Sequence, residues 1–357
     1  MRRLQAALLA AVLLLSACAS THGPPPAAGP AASSPPVPPP AVVAFGDLPG
    51  WAQEDHAAAL TAFRTTCGAA RDAVIAGVCA RARALSPVTE PAARQFLETH
   101  FRPVALAGDG LLTAYFAPEY EARDRADAEF SAPVRPRPAD LPAEPADGDY
   151  PDRAAIETRP ADDALAWMRP EDLFFLQIQG SGFLTFPDGQ RRKAVYVGHN
   201  GRRFSGIAAA MRQQGLLADA NTSGDAIHAW LAGHRGAEAE AIMRLNPRYV
   251  FFRLDPDDGG QPAGAAGLPL PPGRAIAVDL TRHPLGELYW LDARAPALSG
   301  AFPAYQRLAV SLDTGGAIRG EVRADLYTGR GPQAGAEAGR VRHVLRLYRL
   351  DPVSTAP

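Results

Sequence analysis

The pattern of hydrophobic and polar positions predicts a mainly β chain that begins with helices. Apolar residues at helical spacing predict helices within 51–84 and at 90–101, the latter with Thr89 as its N-cap. Short apolar or alternating runs between Gly- and Pro-containing turns predict strands, and the last five of them form a closed β-barrel. The predicted strands are 111–118, 174–186, 191–198, 248–254, 274–280, 287–292, 305–312, 321–327 and 340–348.

Two breaks in composition predict that one domain is inserted into another. A polar, Pro-rich passage begins at Arg123, and the turn-forming run Asp255–Gly260 follows a later strand. We therefore expect 44–121 plus 259–352 to form one discontinuous domain and 122–258 to form the inserted one. The groove between two such domains is the default ligand site. The insertion also carries short helical patterns at 204–217, 225–231 and 237–245.

The N-terminus has the pattern of an export signal with a lipid anchor. Met1–Arg3 is basic and precedes an apolar run of about fourteen residues, which is too short to span a bilayer as a helix. Leu15-Ser-Ala-Cys18 resembles a bacterial lipobox, so we expect a signal peptide at 1–18 and lipidation of Cys18. Ala19 is not the Asp that retains lipoproteins at the inner membrane, which favours the periplasmic face of the outer membrane. An ordinary cleaved signal with an incidental cysteine is the alternative.

Composition separates an unfolded stalk from the folded body. Residues 19–43 are almost entirely Ala, Pro, Ser and Gly and hold 9 of the 35 prolines, so we expect a linker there. The net charge of −2 and a pI near 6.5 give no electrostatic basis for binding nucleic acid.

The remaining cysteines and the histidines have no metal-binding spacing. Cys67 and Cys79 are candidates for a disulfide in an oxidising compartment, with two buried apolar side chains as the alternative. The eight histidines form no ligand motif. We expect neither a metal nor a cofactor.

Two aspartates near the C-terminus are the candidate chemical groups. The apolar run 308–312 stops at Asp313-Thr-Gly-Gly, which predicts a strand end followed by a tight turn. In the next strand, alternation sends Arg323, Asp325 and Tyr327 to one polar face. Both carboxyl groups are therefore expected near one end of the predicted barrel.

Seven stretches of the chain form recognisable motifs: Leu112–Pro118, Gln179–Gly182, Tyr196–Gly201, Asn246–Phe252, Ala277–Gly286, Asp313–Gly320 and Ala324–Gly331. Together they resemble the membrane-bound lytic murein transglycosylase A family. The resemblance covers nearly the whole predicted folded length and includes three aspartates, Asp279, Asp313 and Asp325. This chain has Ala114, Phe116 and Phe204 where the family has Gly and two tyrosines, which affects contacts to sugar more than the class of activity.

The resemblance implies a fold and a reaction. The fold is a double-psi β-barrel domain that carries an inserted, smaller β-barrel domain. The reaction is non-hydrolytic cleavage of the β-1,4 bond between N-acetylmuramic acid and N-acetylglucosamine in peptidoglycan, which leaves a 1,6-anhydromuramoyl end. The implied partners are peptidoglycan strands and other cell-wall enzymes.

One carboxyl group suffices for this reaction, because the C6 hydroxyl of the same sugar replaces the external nucleophile that ordinary glycosidases need. The resemblance places the acid/base at Asp325, and the strand pattern agrees. Asp313 is expected to support it. Burial would raise the pKa of Asp325 and the charge of Arg323 would lower it, and the sequence leaves this balance open.

Five polar residues are candidates for contacts to sugar. Their hydroxyl and amide groups pair well with glycan hydroxyls, and a tyrosine ring can pack on a sugar face. Barrel packing and turn capping are the alternative roles. The candidates are Thr113, Tyr115, Gln179, Ser181 and Asn200.

Two other functions compete with this interpretation. Asp313-Thr-Gly315 is also the aspartic-protease signature, but that enzyme needs two such aspartates and the chain has no second D-T-G or D-S-G. A lipoprotein that binds peptidoglycan without cleaving it is the non-enzymatic alternative. The presence of Asp325 argues against that alternative.

Overall fold

The computed structural model describes residues 41–218, 221–295 and 302–353. The predicted signal peptide, Cys18 and most of the predicted linker lie outside these residues. Ala41 and Val42, at the end of the predicted linker, form strand β1 and pair with Ala105 and Val104. This pairing orders the residues at the C-terminal end of the predicted linker. In the described ranges no helix is long and apolar enough to cross a membrane.

The N-terminal helices are confirmed as a layer that packs on one side of a barrel. Asp55, Asp72 and Thr89 cap three helices through side-chain hydrogen bonds to backbone N–H groups. A disulfide bond joins Cys67 to Cys79. The helices are α1 (His56–Thr66), α2 (Ala73–Ala84) and α3 (Glu90–His100), and 3-10 turns lie at Phe45–Asp47, Trp51–Gln53 and Cys67–Ala69.

The C-terminal strands form a closed barrel, as the sequence predicts, but the barrel has six strands rather than five because the strand Gly110–Ala117 joins them. It uses β3 (Gly110–Ala117), β10 (Ala275–Ala277), β11 (Leu288–Arg294), β12 (Ala304–Asp313), β13 (Arg323–Arg330) and β14 (Arg342–Pro352). Their order is β14–β11–β12–β10–β13–β3, and pairing of β3 with β14 closes the ring. Strand β2 (Phe101–Ala105) pairs outside the ring with β1 and β14, and helix α9 (Gly331–Ala338) follows β13.

Alternation separates an inner from an outer face in this barrel. Buried residues from all six strands form one cluster, which includes Leu112, Ile276 and Leu326 and fills the interior. A second cluster packs the helices against the outer face, where Phe63 and Leu97 meet Val310. The site described below lies on this outer face.

Between β3 and β10, the described residues form two smaller sheets and five α-helices. One sheet has the order β4 (Glu119–Glu121), β7 (Gly182–Thr185), β8 (Arg191–His199) and β9 (Val250–Pro256), and the other pairs β5 (Ala132–Val134) with β6 (Ala166–Met168). The helices are α4 (Arg153–Glu157), α5 (Pro170–Gln179), α6 (Ala208–Gln213), α7 (Gly224–Gly233) and α8 (Ala237–Met243).

One strand prediction in this region was wrong and one helix prediction was too long. Residues 174–179, predicted as strand, belong to α5, which starts at Pro170 and ends where Gly180 adopts a left-handed φ of 82°. A short, continuous apolar run does not distinguish a buried helix from a strand, whereas proline at the start and glycine at the end are helix signals. The predicted helix 204–217 is reduced to α6, because residues before it form an irregular segment.

Charged residues join the barrel to the four-stranded sheet. Arg330, at the end of β13, donates hydrogen bonds to Glu119 at 3.0 Å and to Asp257 at 2.9 Å. Its guanidinium also lies 3.5 Å from the ring centre of Phe183. Arg191 pairs with the same two carboxylates. These ion pairs hold the end of β13 against the four-stranded sheet.

Candidate functional site

Strand pairing brings the two candidate aspartates to either side of one residue. Ala277 of β10 pairs with Asp313 of β12 in one direction and with Asp325 of β13 in the other. Strand β3 lies beyond β13, where Thr113 is the register partner of Asp325 and Tyr115 that of Tyr327. Since Ala324 and Leu326 point into the barrel, Asp325 points to the outer face.

A chain of hydrogen bonds orients the Asp325 carboxyl group. The Thr113 hydroxyl donates to Asp325 Oδ1, and Arg323 Nη2 donates to Thr113 Oγ1 at 2.8 Å. A guanidinium has no acceptor, so Thr113 must accept from Arg323 and direct its single hydroxyl proton at Asp325. Within the described ranges Asp325 Oδ2 makes no hydrogen bond. When this carboxyl group is protonated, Oδ2 is therefore the oxygen free to carry the proton.

Burial dominates the protonation of Asp325. It raises the pKa of this carboxyl group above its ordinary value, against the hydrogen bond from Thr113 and the charge of Arg323, which lower it. The negative charge of Asp313 raises it further. The balance that the sequence left open therefore favours a raised pKa for Asp325.

Asp313 is held as an acceptor on both oxygens. Tyr115 donates to Oδ2 at 2.7 Å, and the backbone N–H groups of Ala265 and Thr314 each donate to Oδ1 at 2.9 Å. Burial raises the pKa of Asp313, and these three hydrogen bonds oppose that rise. Because both oxygens are occupied, Asp313 is less free than Asp325 to exchange a proton with a ligand.

Asp279, the third aspartate in the matching motifs, is bonded in a way that suits a structural role. It accepts hydrogen bonds from Gly320 N and Thr281 Oγ1, both at 2.8 Å, and its side chain is almost wholly buried. Although burial acts to raise it, these hydrogen bonds and Arg319 lower the pKa of Asp279 to about 2. Asp279 thereby fixes the turn that leads into β13.

The predicted sugar-contact residues fall into three groups. Thr113 and Tyr115 are half-buried and already bond the two aspartates. Gln179 accepts from Phe116 N at 3.2 Å beside β3, and Ser181 is half-buried just after it. Asn200 does not fit the prediction, since it is fully buried and its amide bonds the Pro151 and Pro247 carbonyl groups and Tyr249 N. We assign Asn200 a role in joining backbone segments.

The loop after Asp313 lies close to Arg248, which the sequence analysis did not single out, and to Phe204. A Cβ atom built on Gly316, three residues after Asp313, would lie 3.8 Å from the guanidinium of Arg248 and from Phe204. The loop after Asp313 therefore packs directly against the region of the four-stranded sheet. A lone arginine between Pro247 and Tyr249 gives no pattern that would have revealed this. Among the described residues no group of three potential metal ligands occurs.

The fold and site define a class: a β-barrel protein with two half-buried carboxyl groups on its outer wall, beside a smaller sheet. Residues 111–253 match the family described as the MltA specific insert domain, and 274–351 match the 3D domain.

Individual proteins and structures agree with the family matches. Membrane-bound lytic murein transglycosylase A of Vibrio cholerae is 32% identical over 250 residues, which cover 68% of this chain and 66% of that protein. The crystal structure of the Agrobacterium tumefaciens membrane-bound lytic murein transglycosylase has a TM-score of 0.77 and 32% identity, with 88% of this chain and 97% of that one covered. The Escherichia coli MltA structure with bound chitohexaose gives a TM-score of 0.65 at 27% identity, with 90% and 93% covered.

The family matches at 111–253 and 274–351 include the barrel strands that carry Asp313 and Asp325 and the smaller sheets. The chain belongs to the membrane-bound lytic murein transglycosylase A family.

Replacing Tyr115 by Phe tests the environment of Asp313. The hydroxyl favours the ionised form of Asp313, so its contribution to stability is present where Asp313 is ionised and is lost as the pH falls through the Asp313 pKa. We expect Tyr115→Phe to lower the free energy of unfolding by about 1–3 kcal/mol at pH 7 and by less at pH 4, measured by urea unfolding. Tyr120→Phe, whose hydroxyl has no hydrogen bond to a described residue, is the control. A loss that is equal at both pH values would contradict this assignment.

Proposed function

We propose that this chain is a peptidoglycan lytic transglycosylase that cleaves the β-1,4 bond between N-acetylmuramic acid and N-acetylglucosamine and forms 1,6-anhydromuramoyl ends. The observation that carries the proposal is Asp325, a half-buried carboxyl group with a raised pKa, one oxygen held by Thr113 and the other without a hydrogen bond to any described residue. The names of the relatives, and the chitohexaose bound to one of them, support a glycan substrate.

In this mechanism Asp325 acts first as an acid and then as a base. Oδ2 donates its proton to the glycosidic oxygen, the bond to C1 breaks, and the N-acetylglucosamine leaves as an alcohol. The C6 hydroxyl of the muramoyl residue attacks C1 and gives its proton to Oδ2, which restores the acid. No water is consumed, and covalent connection already holds the attacking hydroxyl near C1. The Thr113 hydrogen bond to Oδ1 keeps Oδ2 as the exchanging oxygen.

Asp313 has a supporting role in this proposal. Its negative charge raises the pKa of Asp325, which helps Asp325 retain a proton. The same charge stabilises the positive charge that develops at C1 as the bond breaks. The hydrogen bonds from Tyr115, Ala265 and Thr314 keep its carboxylate in place. Thr113, Tyr115, Gln179 and Ser181 border this region as candidate sugar contacts.

The finer architecture and the location are part of the same proposal. We infer a double-psi connectivity for the barrel and a discontinuous arrangement in which 44–121 and 259–352 enclose an inserted β-barrel domain at 122–258. The match of 111–253 to an insert domain supports this division. The lipobox at Cys18 and the membrane-bound relatives support a lipid anchor on the periplasmic face of the outer membrane.

Product analysis tests the activity. Purified sacculi incubated with the protein should release muropeptides with 1,6-anhydro ends, which mass spectrometry separates from reducing ends by the mass of one water. Asp325→Asn cannot donate the proton, so we expect release to fall by about 10²- to 10⁴-fold while binding to sacculi persists. Asp109→Asn, which alters a carboxylate in an exposed ion pair with Arg346, is the matched control.

Each contrary outcome identifies the part that fails. Reducing-end products would mean hydrolysis and would exclude the mechanism with one carboxyl group. Full activity of Asp325→Asn would exclude the residue assignment. Binding without any release would favour a peptidoglycan-binding lipoprotein, and pepstatin-sensitive peptide cleavage would favour a protease.

The hydrogen bond from Thr113 predicts a shift in the pH profile. Thr113→Val removes a bond that lowers the pKa of Asp325, so the acid form persists to higher pH and the falling limb of kcat/KM should move upward. We also expect kcat to fall about tenfold, because the carboxyl group is no longer oriented. Thr113→Ser keeps the hydroxyl and should retain the original profile. A downward shift, or identical profiles for Val and Ser, would argue against this role of Thr113.

A further inference from the structure

A cavity on the four-stranded sheet has a partly exposed aromatic wall. Its volume is about 300 Å³, and Arg137, Glu144, Tyr196 and His199 line it. Tyr196 lies on β8 and is 44% exposed, an unusual degree for a large aromatic side chain in this molecule. Burial lowers the pKa of His199 to about 4, with help from Arg248, so this imidazole is neutral at neutral pH. We call this cavity the Tyr196 pocket.

Two arginines place positive charge at or beside the Tyr196 pocket. Arg137 lines the pocket, and its guanidinium donates to the carbonyl groups of Val197, Leu141 and Pro142 at 3.3, 2.8 and 2.7 Å. Arg248 does not line the cavity but lies close enough to influence Tyr196 and His199, and among the described residues its guanidinium makes one long hydrogen bond, 3.4 Å, to the Arg202 carbonyl oxygen. Throughout the described ranges no carboxylate oxygen lies within 4.0 Å of either guanidinium. Both charges act on the Tyr196 hydroxyl, whose pKa burial raises and they lower.

Keeping the half-buried guanidinium of Arg248 charged without an anionic partner is energetically unfavourable. Burial lowers the pKa of its guanidinium, and the positive charge of Arg319 adds to that effect. Buried charges in proteins are normally paired, and arginine binds carboxylates through two parallel hydrogen bonds. The only acidic side chain that lines the cavity, Glu144, is exposed and makes no ion pair with Arg137. Asp147 lies 3.8 Å from Arg202 and Arg203 instead.

Arg248 connects the surroundings of the Tyr196 pocket to the loop after Asp313. A Cβ atom on Gly316, three residues after Asp313, would lie 3.8 Å from the Arg248 guanidinium. The same guanidinium is half-buried and influences Tyr196 and His199, which line the pocket. Because glycine has no side chain, position 316 does not cover the charged group.

We propose that Arg248 and Arg137, with the ring of Tyr196, form a subsite for a carboxylate carried by the glycan strand. This inference rests on the proposed function, because peptidoglycan bears carboxylates on its stem peptides and a further one on the lactyl group once a peptide is removed. Neutral chito-oligosaccharides bear none. The subsite therefore selects acidic, peptide-bearing strands over neutral glycans.

Binding measurements separate this subsite from catalysis. In the full-length Asp325→Asn protein, calorimetry gives the Kd of three ligands: peptide-bearing glycan strands, amidase-stripped strands with only lactyl carboxylates, and a neutral chito-oligosaccharide. We expect Arg248→Gln to raise the Kd of peptide-bearing strands about tenfold and that of the neutral ligand less than twofold. Arg248→Lys should lose less, because it keeps the charge. Arg102→Gln, exposed on β2, is the control.

The pattern of losses decides the outcome. A tenfold loss on stripped strands as well would mean that the subsite accepts either the lactyl or the stem-peptide carboxylate, whereas a loss confined to peptide-bearing strands would identify the stem peptide. Equal weakening of charged and neutral ligands, or no weakening, would overturn the subsite while leaving the proposed reaction intact. Failure of the Asp325→Asn protein to bind any glycan would overturn both.

Discussion

The site depends on the pairing of the short central strand β10 with β12 and β13. Ala277 has Asp313 on one side and Asp325 on the other, so both carboxyl groups project from one stretch of barrel wall. The parallel neighbour β3 then sets Thr113 beside Asp325. A shift of one residue in any of these registers would turn the carboxyl groups into the apolar interior.

Both aspartates are half-buried on that wall, but their hydrogen bonds give them different chemical properties. Asp313 accepts hydrogen bonds on both oxygens, which suits a fixed negative charge. Asp325 has one oxygen bound through the Arg323–Thr113 chain and one oxygen outside any hydrogen bond to a described residue, which suits proton exchange. The nearby Arg323 makes no direct hydrogen bond to Asp325. Its guanidinium donates to Thr113 and to backbone carbonyl groups instead, so it does not force Asp325 to ionise.

Local patterns predicted the barrel strands and the positions of the aspartates well, since alternation and turn residues are local properties. Helix α5 was missed because its apolar run fits a strand equally well until Pro170 and Gly180 are weighed. The buried state of Asn200 and the half-buried position of Arg248 depend on which segments meet in the fold, and no spacing along the chain encodes that. The resemblance to a family supplied the choice between Asp313 and Asp325, and the hydrogen bonds now give that choice a physical basis.

The central claim is that burial keeps Asp325 protonated to a higher pH than an ordinary aspartate, despite the adjacent arginine. Titration of the Asp325 side-chain carbon by ¹³C NMR, with Asp325→Asn used to assign the signal, measures this directly. The account predicts a pKa above the ordinary aspartate value of about 3.9 and a further rise in Thr113→Val. A pKa at or below the ordinary value would contradict it.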